Sequence, residues 1–91
     1  MLYAGDFRFM YYVYILHSIE KDKYYIGSTE NVDQRLQRHN NKMVRSTKAY
    51  APWALRYTES FSTRALAENR EKGIKNKKSR KYIELLVDTS R

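Results

Sequence analysis

Residues 10–16, Met-Tyr-Tyr-Val-Tyr-Ile-Leu, form a β-branched and aromatic run of the kind that fills a buried strand. Polar residues 17–23 make a turn, and residues 24–28, Tyr-Tyr-Ile-Gly-Ser, read as the antiparallel partner of the first strand. Thr29, Glu30 and Asn31 then open a helix: Thr29 or Asn31 can accept from its first free N–H groups, and Asp33 suits its positive end. That helix should run to about Lys42. Residues 43–51 are mixed and basic, and Pro52 disfavours helix immediately before it, so a long loop is expected there. Residues 53–61 alternate, with Leu55, Tyr57 and Phe61 on one side and Arg56, Thr58 and Ser60 on the other, as in a third strand. Ser62 or Thr63 caps a helix through about Asn76, in which Gly73 predicts a kink or an early end. A last helix over residues 79–87 turns Tyr82, Ile83, Leu86 and Val87 inward. The pattern gives an α+β fold, a small three-stranded antiparallel sheet flanked by helices in the order β-β-α-β-α-α. Residues 1–9 show no period and are expected to be a frayed leader to a single domain spanning residues 10–91.

Helical spacing also sorts the polar residues. At about 100° per residue, Val32 and Leu36 mark the buried stripe of the first helix, and Arg35 and His39 project within about 60° of Val32. Burying a guanidinium is costly unless a carboxylate, a phosphate or a hydrogen-bond network meets it, so Arg35 is either half of a structural ion pair or part of a site. In the next helix Glu71 lies between Ala67 and Ile74 on the inward stripe, whereas Glu68 is rotated to the flank. A structural pairing of Glu71 with an arginine would also satisfy it. On the hairpin, alternation places Tyr12, Tyr14 and Leu16 opposite Tyr11, Val13 and Ile15. If Tyr14 and Tyr25 share a face, Val13, Ile15, Tyr24 and Ile26 can pack on the other. Most of the nine tyrosines are packing residues, as is Trp53, and His17 is a surface turn residue.

Composition narrows the classes. The chain has 91 residues, no cysteine and no apolar run near the roughly 20 residues of a membrane helix, which excludes disulfide and thiolate-metal scaffolds and gives the expectation of a soluble cytoplasmic protein. Its net charge of +8 is concentrated in Arg70, Lys72, Lys75, Lys77, Lys78, Arg80 and Lys81, opposed locally only by Glu71. Such a block, with Arg45 and Lys48 in the loop, would hold a nucleic-acid backbone by counterion release, although alone it is equally a solvated helix face.

Val13-Tyr14, the Tyr25-Ile26-Gly27-Ser28-Thr29 segment, Asn31 leading to Arg35-Leu36 and His39-Asn40, the Ser46-Thr47-Lys48 loop, Pro52-Trp53 and Arg70-Glu71 with Ile74-Lys75 occur in an order and spacing that together are specific. By these pieces the chain resembles the GIY-YIG nuclease superfamily, especially its small stand-alone members related to the amino-terminal nuclease domain of excinuclease C. The match runs from about Tyr11 to Leu86. Tyr12-Val13-Tyr14 departs from the first motif's glycine and isoleucine but keeps its tyrosine.

The resemblance implies an endonuclease acting on nucleic acid, DNA foremost, with one divalent ion, Mg²⁺ or Mn²⁺. It implies Tyr14 and Tyr25 as the motif tyrosines, Arg35 as the catalytic arginine, His39 as an associated site residue and Glu71 as the metal ligand. Tyr14, Tyr25 and His39 all remain candidates for the base, because a tyrosine of pKa about 10 needs neighbouring cations to serve and histidine is nearer neutrality unaided. Specificity would come from a protein partner, self-association or nucleic-acid shape, and links to repair or recombination are expected. The rivals are a catalytically silent nucleic-acid-binding module and a basic surface for an acidic protein.

Overall fold

The computed structural model describes residues 10–89, and the expected leader at residues 1–9 lies outside them. Strand β1 (Tyr11–Ser18) is central in a three-stranded antiparallel sheet, with β2 (Tyr24–Thr29) and β3 (Trp53–Phe61) on either side. Because β1 is covered on both faces, Val13 to Leu16 are all buried, and the run of apolar residues reflects that double burial. Helix α1 (Val32–Asn40) lies over the face carrying Tyr14, Leu16, Trp53 and Tyr25, against which Val32 and Leu36 pack. Helices α2 (Arg64–Asn76) and α3 (Arg80–Thr89) cover the opposite face, where Val13, Ile15, Ile26, Ala67, Ile74 and Val87 form the larger core cluster. Tyr82, Ile83 and Leu86 pack against it as their spacing predicts. No helix among the described residues is long and apolar enough to cross a membrane.

Three local expectations change. Helix α1 ends at Asn40, two residues early, because Lys42 adopts the left-handed region at φ 61°. Met43 N–H then reaches the Arg38 carbonyl and Lys42 N–H that of His39, closing the helix in a Schellman motif. Gly73 neither kinks nor ends α2: it is exposed, and burial of Ala67 and Ile74 on either side outweighs a propensity loss of about 1 kcal/mol. In β3 a bulge at Arg56, opposite Ile15 and Leu16, shifts the register so that Leu55 pairs with Leu16 and Tyr57 with Ile15, and the two no longer share a side. The loop before β3 contains a short 3₁₀ turn at Lys48–Tyr50, ending at an extended Ala51 before Pro52.

Candidate active site

Asn31 begins the site by capping α1: its side-chain oxygen accepts from Gln34 N–H at 3.0 Å, fixing where the helix starts and therefore which side Arg35 and His39 take. At the other end the Asn40 side chain bonds both backbone groups of Trp53, accepting from its N–H at 2.6 Å and donating to its carbonyl at 3.1 Å. Held at both ends, α1 directs His39 fully inside the protein, 0% exposed. His39 Nε2 lies 3.0 Å from the Tyr14 hydroxyl, and Nδ1 lies 2.8 Å from Thr47 Oγ1. Burial, reinforced by the Arg35 and Arg38 charges, pulls the imidazole pKa from 6.5 down to about 4, so it is neutral at physiological pH. Burial likewise pushes the Tyr14 phenol up to about 12. The Arg35 guanidinium acts against that rise, while Tyr25 and Glu71 add to it.

Tyr25 completes an aromatic cluster, its ring centroid 6.2 Å from Tyr14, 4.9 Å from His39 and 6.3 Å from Trp53. Gly27 opposes Tyr14 across the strands, and a Cβ placed on it would stand 2.5 Å from the Tyr14 hydroxyl oxygen. The glycine is thus required by the phenol rather than by a turn. Arg35 lines a polar cleft of about 520 Å³ together with Ser28, Thr29, Asn31, Gln34 and Arg64. Its Nε is buried without an acceptor, the sole such side-chain atom among the described residues. Arg64, at the rim, is paired with Glu30 at 3.0 Å.

Glu71 comes from α2, on the other face of the sheet from α1, and is joined to the cleft through Ser28 of the edge strand β2. Ser28 lines the cleft and donates its hydroxyl to Glu71 Oε1 at 2.6 Å. Lys75, one turn along α2, donates to Oε2 at 2.6 Å, so the expected arginine partner is a lysine. The structure therefore brings Tyr14, Tyr25, Arg35 and His39 into one cluster, with Glu71 at its border beyond Ser28. Among the described residues no three His, Cys, Asp or Glu side chains converge on a cation position. A divalent ion would have Glu71 as its protein carboxylate, with phosphate and water completing the shell as is common for Mg²⁺.

The basic residues divide by their partners. Arg45, Lys48, Lys72, Lys77, Lys78 and Lys81 are exposed. Arg70 is half-buried and donates to Tyr82 and Glu59, which hold it in the charged form, and Arg80 is tied to Asp22 and Glu84. Three residues that the spacing arguments passed over help to build the site: Ser28, which presents Glu71; Asn40, which docks α1 on Trp53; and Thr47, 1% exposed against His39. Asn40 and Thr47 each stand within the pieces that carry the family resemblance, but nothing in helical or strand period marks them as inward.

Residues 10–83 match the GIY-YIG catalytic domain. The chain is similar to a UPF0213 protein of Bacillus licheniformis, 37% identical over 81% of this chain and 79% of the relative. It is similar also to a UPF0213 protein of Clostridium perfringens, 33% identical over 89% and 87%, and to one of Halobacterium salinarum, 36% identical over 72% and 86%. No solved structure matches it. The match covers most of the chain, whose three-stranded sheet and helices α1 and α2 it spans, and the chain belongs to the GIY-YIG nuclease superfamily.

Proposed function

We propose that this chain is a divalent-metal-dependent endonuclease that hydrolyses phosphodiester bonds in DNA. The observation that carries the reading is Arg35: a guanidinium whose buried Nε has no acceptor, on the wall of an open polar cleft, is prepared for an anion from outside. A phosphate in the cleft would complete its hydrogen bonding and receive its charge. Glu71 fits a hard divalent cation, because its carboxylate already draws the Lys75 ammonium to one oxygen and is oriented by Ser28 through the other. When bound, such an ion supplies Lewis-acid stabilisation of the phosphoryl oxygens.

Among the candidates for the base, the geometry favours Tyr14 and His39 acting together. The Tyr14 hydroxyl lies 3.0 Å from His39 Nε2, within reach to donate its hydrogen to that nitrogen. Water attacking phosphorus gives its proton to Tyr14, which passes its own to His39, and the bond from phosphorus to the leaving sugar oxygen breaks with solvent returning a proton to that oxygen. The phenol is never a free phenolate in this scheme, so its high pKa is no obstacle. His39 is a weak base at rest, but part of its depression comes from Arg35, and a phosphate neutralising Arg35 raises its proton affinity as the substrate binds. The exposed Lys72, Lys77, Lys78 and Lys81, with Arg45 and Lys48, would hold the backbone without reading sequence.

Incubating plasmid, branched DNA and RNA with the protein in Mg²⁺ or Mn²⁺ tests the reading. Cleavage of DNA that disappears in Arg35→Ala and Glu71→Ala is the expected result. Binding by wild type and both variants with no cutting by any would instead identify a silent nucleic-acid-binding module.

A further inference from the structure

We propose that Thr47 is a positioning residue that fixes the tautomer of His39, holding the proton on Nδ1 so that Nε2 stays bare to receive the Tyr14 proton. The inference rests on the nuclease reading for its consequence, but its structural content stands apart from it. Thr47 has one hydroxyl proton and two neighbours able to share it. Its Oγ1 lies 2.8 Å from His39 Nδ1 and donates to the Val44 carbonyl at 3.3 Å, three residues back. With that proton directed at Val44, Oγ1 faces His39 as an acceptor and requires Nδ1–H. The alternative, Thr47 donating to Nδ1, would set Nε2–H against the Tyr14 oxygen and take from the phenol hydrogen its His39 acceptor. It would also give up the Thr47 hydroxyl's bond to the Val44 carbonyl, which the Thr47 and Lys48 N–H groups also reach.

The loop has been made rigid enough to impose this choice. Thr47 N–H bonds the Val44 carbonyl at 3.1 Å, while the Thr47 carbonyl accepts from Tyr50 N–H at 3.0 Å and from the Trp53 indole at 3.1 Å. A threonine in a connecting segment is thereby 1% exposed, and Trp53 beside it is 4% exposed. His39 and Tyr14 are buried equally deeply, so no solvent competes for the links from Thr47 to the phenol. The chain of bonds is directional. Tyr14 donates to His39, His39 to Thr47, and Thr47 to the backbone.

The chain has only two histidines, so nitrogen-15 NMR of histidine-labelled protein reads the tautomer directly, with His17→Asn assigning the signals. For the wild type above pH 6 the expected spectrum shows His39 with a protonated Nδ1 and a bare Nε2, the reverse of the form favoured by a free side chain. Thr47→Ser should preserve it, and Thr47→Val should move the proton to Nε2. In DNA cleavage, Thr47→Val should lower kcat by about 100-fold with KM little changed, at the lower end of what general-base catalysis contributes, and Thr47→Ser should restore it. A wild-type spectrum with the proton on Nε2, or a Thr47→Val spectrum unchanged from wild type, overturns the proposal. Should Thr47→Val fail to fold, the wild-type and Thr47→Ser spectra decide it. Should the protein cut no nucleic acid, the tautomer measurement still stands, so the two readings fail separately.

Discussion

Replacing Gly27 with alanine probes the packing of the site through a single methyl group. The new Cβ would lie 2.5 Å from the Tyr14 hydroxyl oxygen, 2.7 Å from Cζ and 3.0 Å from Cε2. These are the rigid end of an aromatic ring, 1% exposed and hydrogen-bonded to His39, so it cannot swing aside as a lysine tip would. Overpacking of this kind costs about 1–3 kcal/mol, and displacing the phenol from His39 adds about 1 kcal/mol for the lost hydrogen bond. Urea unfolding followed through Trp53, the sole tryptophan, reads the change. A midpoint lowered by that amount is expected, together with loss of cleavage. Tyr14→Phe in the Gly27→Ala background should recover part of the stability, because the shortest contact is removed, but none of the activity. Unaltered stability and full cleavage in Gly27→Ala would show that the phenol is not confined as described.

His39 sets the acid limb of stability. Its pKa is 6.5 unfolded and about 4 folded, so the unfolded chain binds the extra proton between those values, and stability present above pH 6.5 is lost as pH falls toward 4. At about 1.4 kcal/mol per pH unit the loss is on the order of 3 kcal/mol, and unfolding curves across that range should flatten in His39→Gln by most of this amount. Lys75→Met should raise Mn²⁺ affinity several-fold by calorimetry, since the ammonium at 2.6 Å competes with any cation for Glu71 Oε2; unchanged or weaker binding would place the ion elsewhere. Lys42→Gly should stabilise the fold by about 1 kcal/mol in urea, because a left-handed residue with a Cβ carries roughly that cost and Lys42 sits at φ 61°.

What the sequence reveals depends on how local its physical cause is. The alternation in β1 and the helical stripes of α1 and α3 are local, and the two sheet faces, with Tyr14 and Tyr25 together and Val13, Ile15 and Ile26 opposite, follow from them. The inward turn of Arg35, His39 and Glu71 is legible for the same reason. The face that α2 covers is not, because a helix stripe does not state which side of a sheet it meets; hence Glu71 is joined to the cleft through Ser28 rather than standing on the α1 side. The fate of the basic residues is equally nonlocal: Arg80 finds Asp22 across 58 positions, and Arg70 finds Glu59 on β3. The β3 bulge at Arg56 exists only in relation to β1, so alternation alone assigned Leu55 to the wrong side. Gly73 shows the converse error, a local propensity overruled by the burial of its neighbours Ala67 and Ile74.

The proposed nuclease holds its divalent ion on Glu71, beside the Arg35 cleft. Paramagnetic broadening by Mn²⁺ in the NMR spectrum of the protein tests it most directly. Sub-stoichiometric Mn²⁺ should broaden Glu71 and Ser28 first and Tyr14, Tyr25 and Arg35 with them, leave the far end of α3 sharp, and have no such effect in Glu71→Ala. Broadening centred elsewhere, or the same pattern after removal of Glu71, would contradict it.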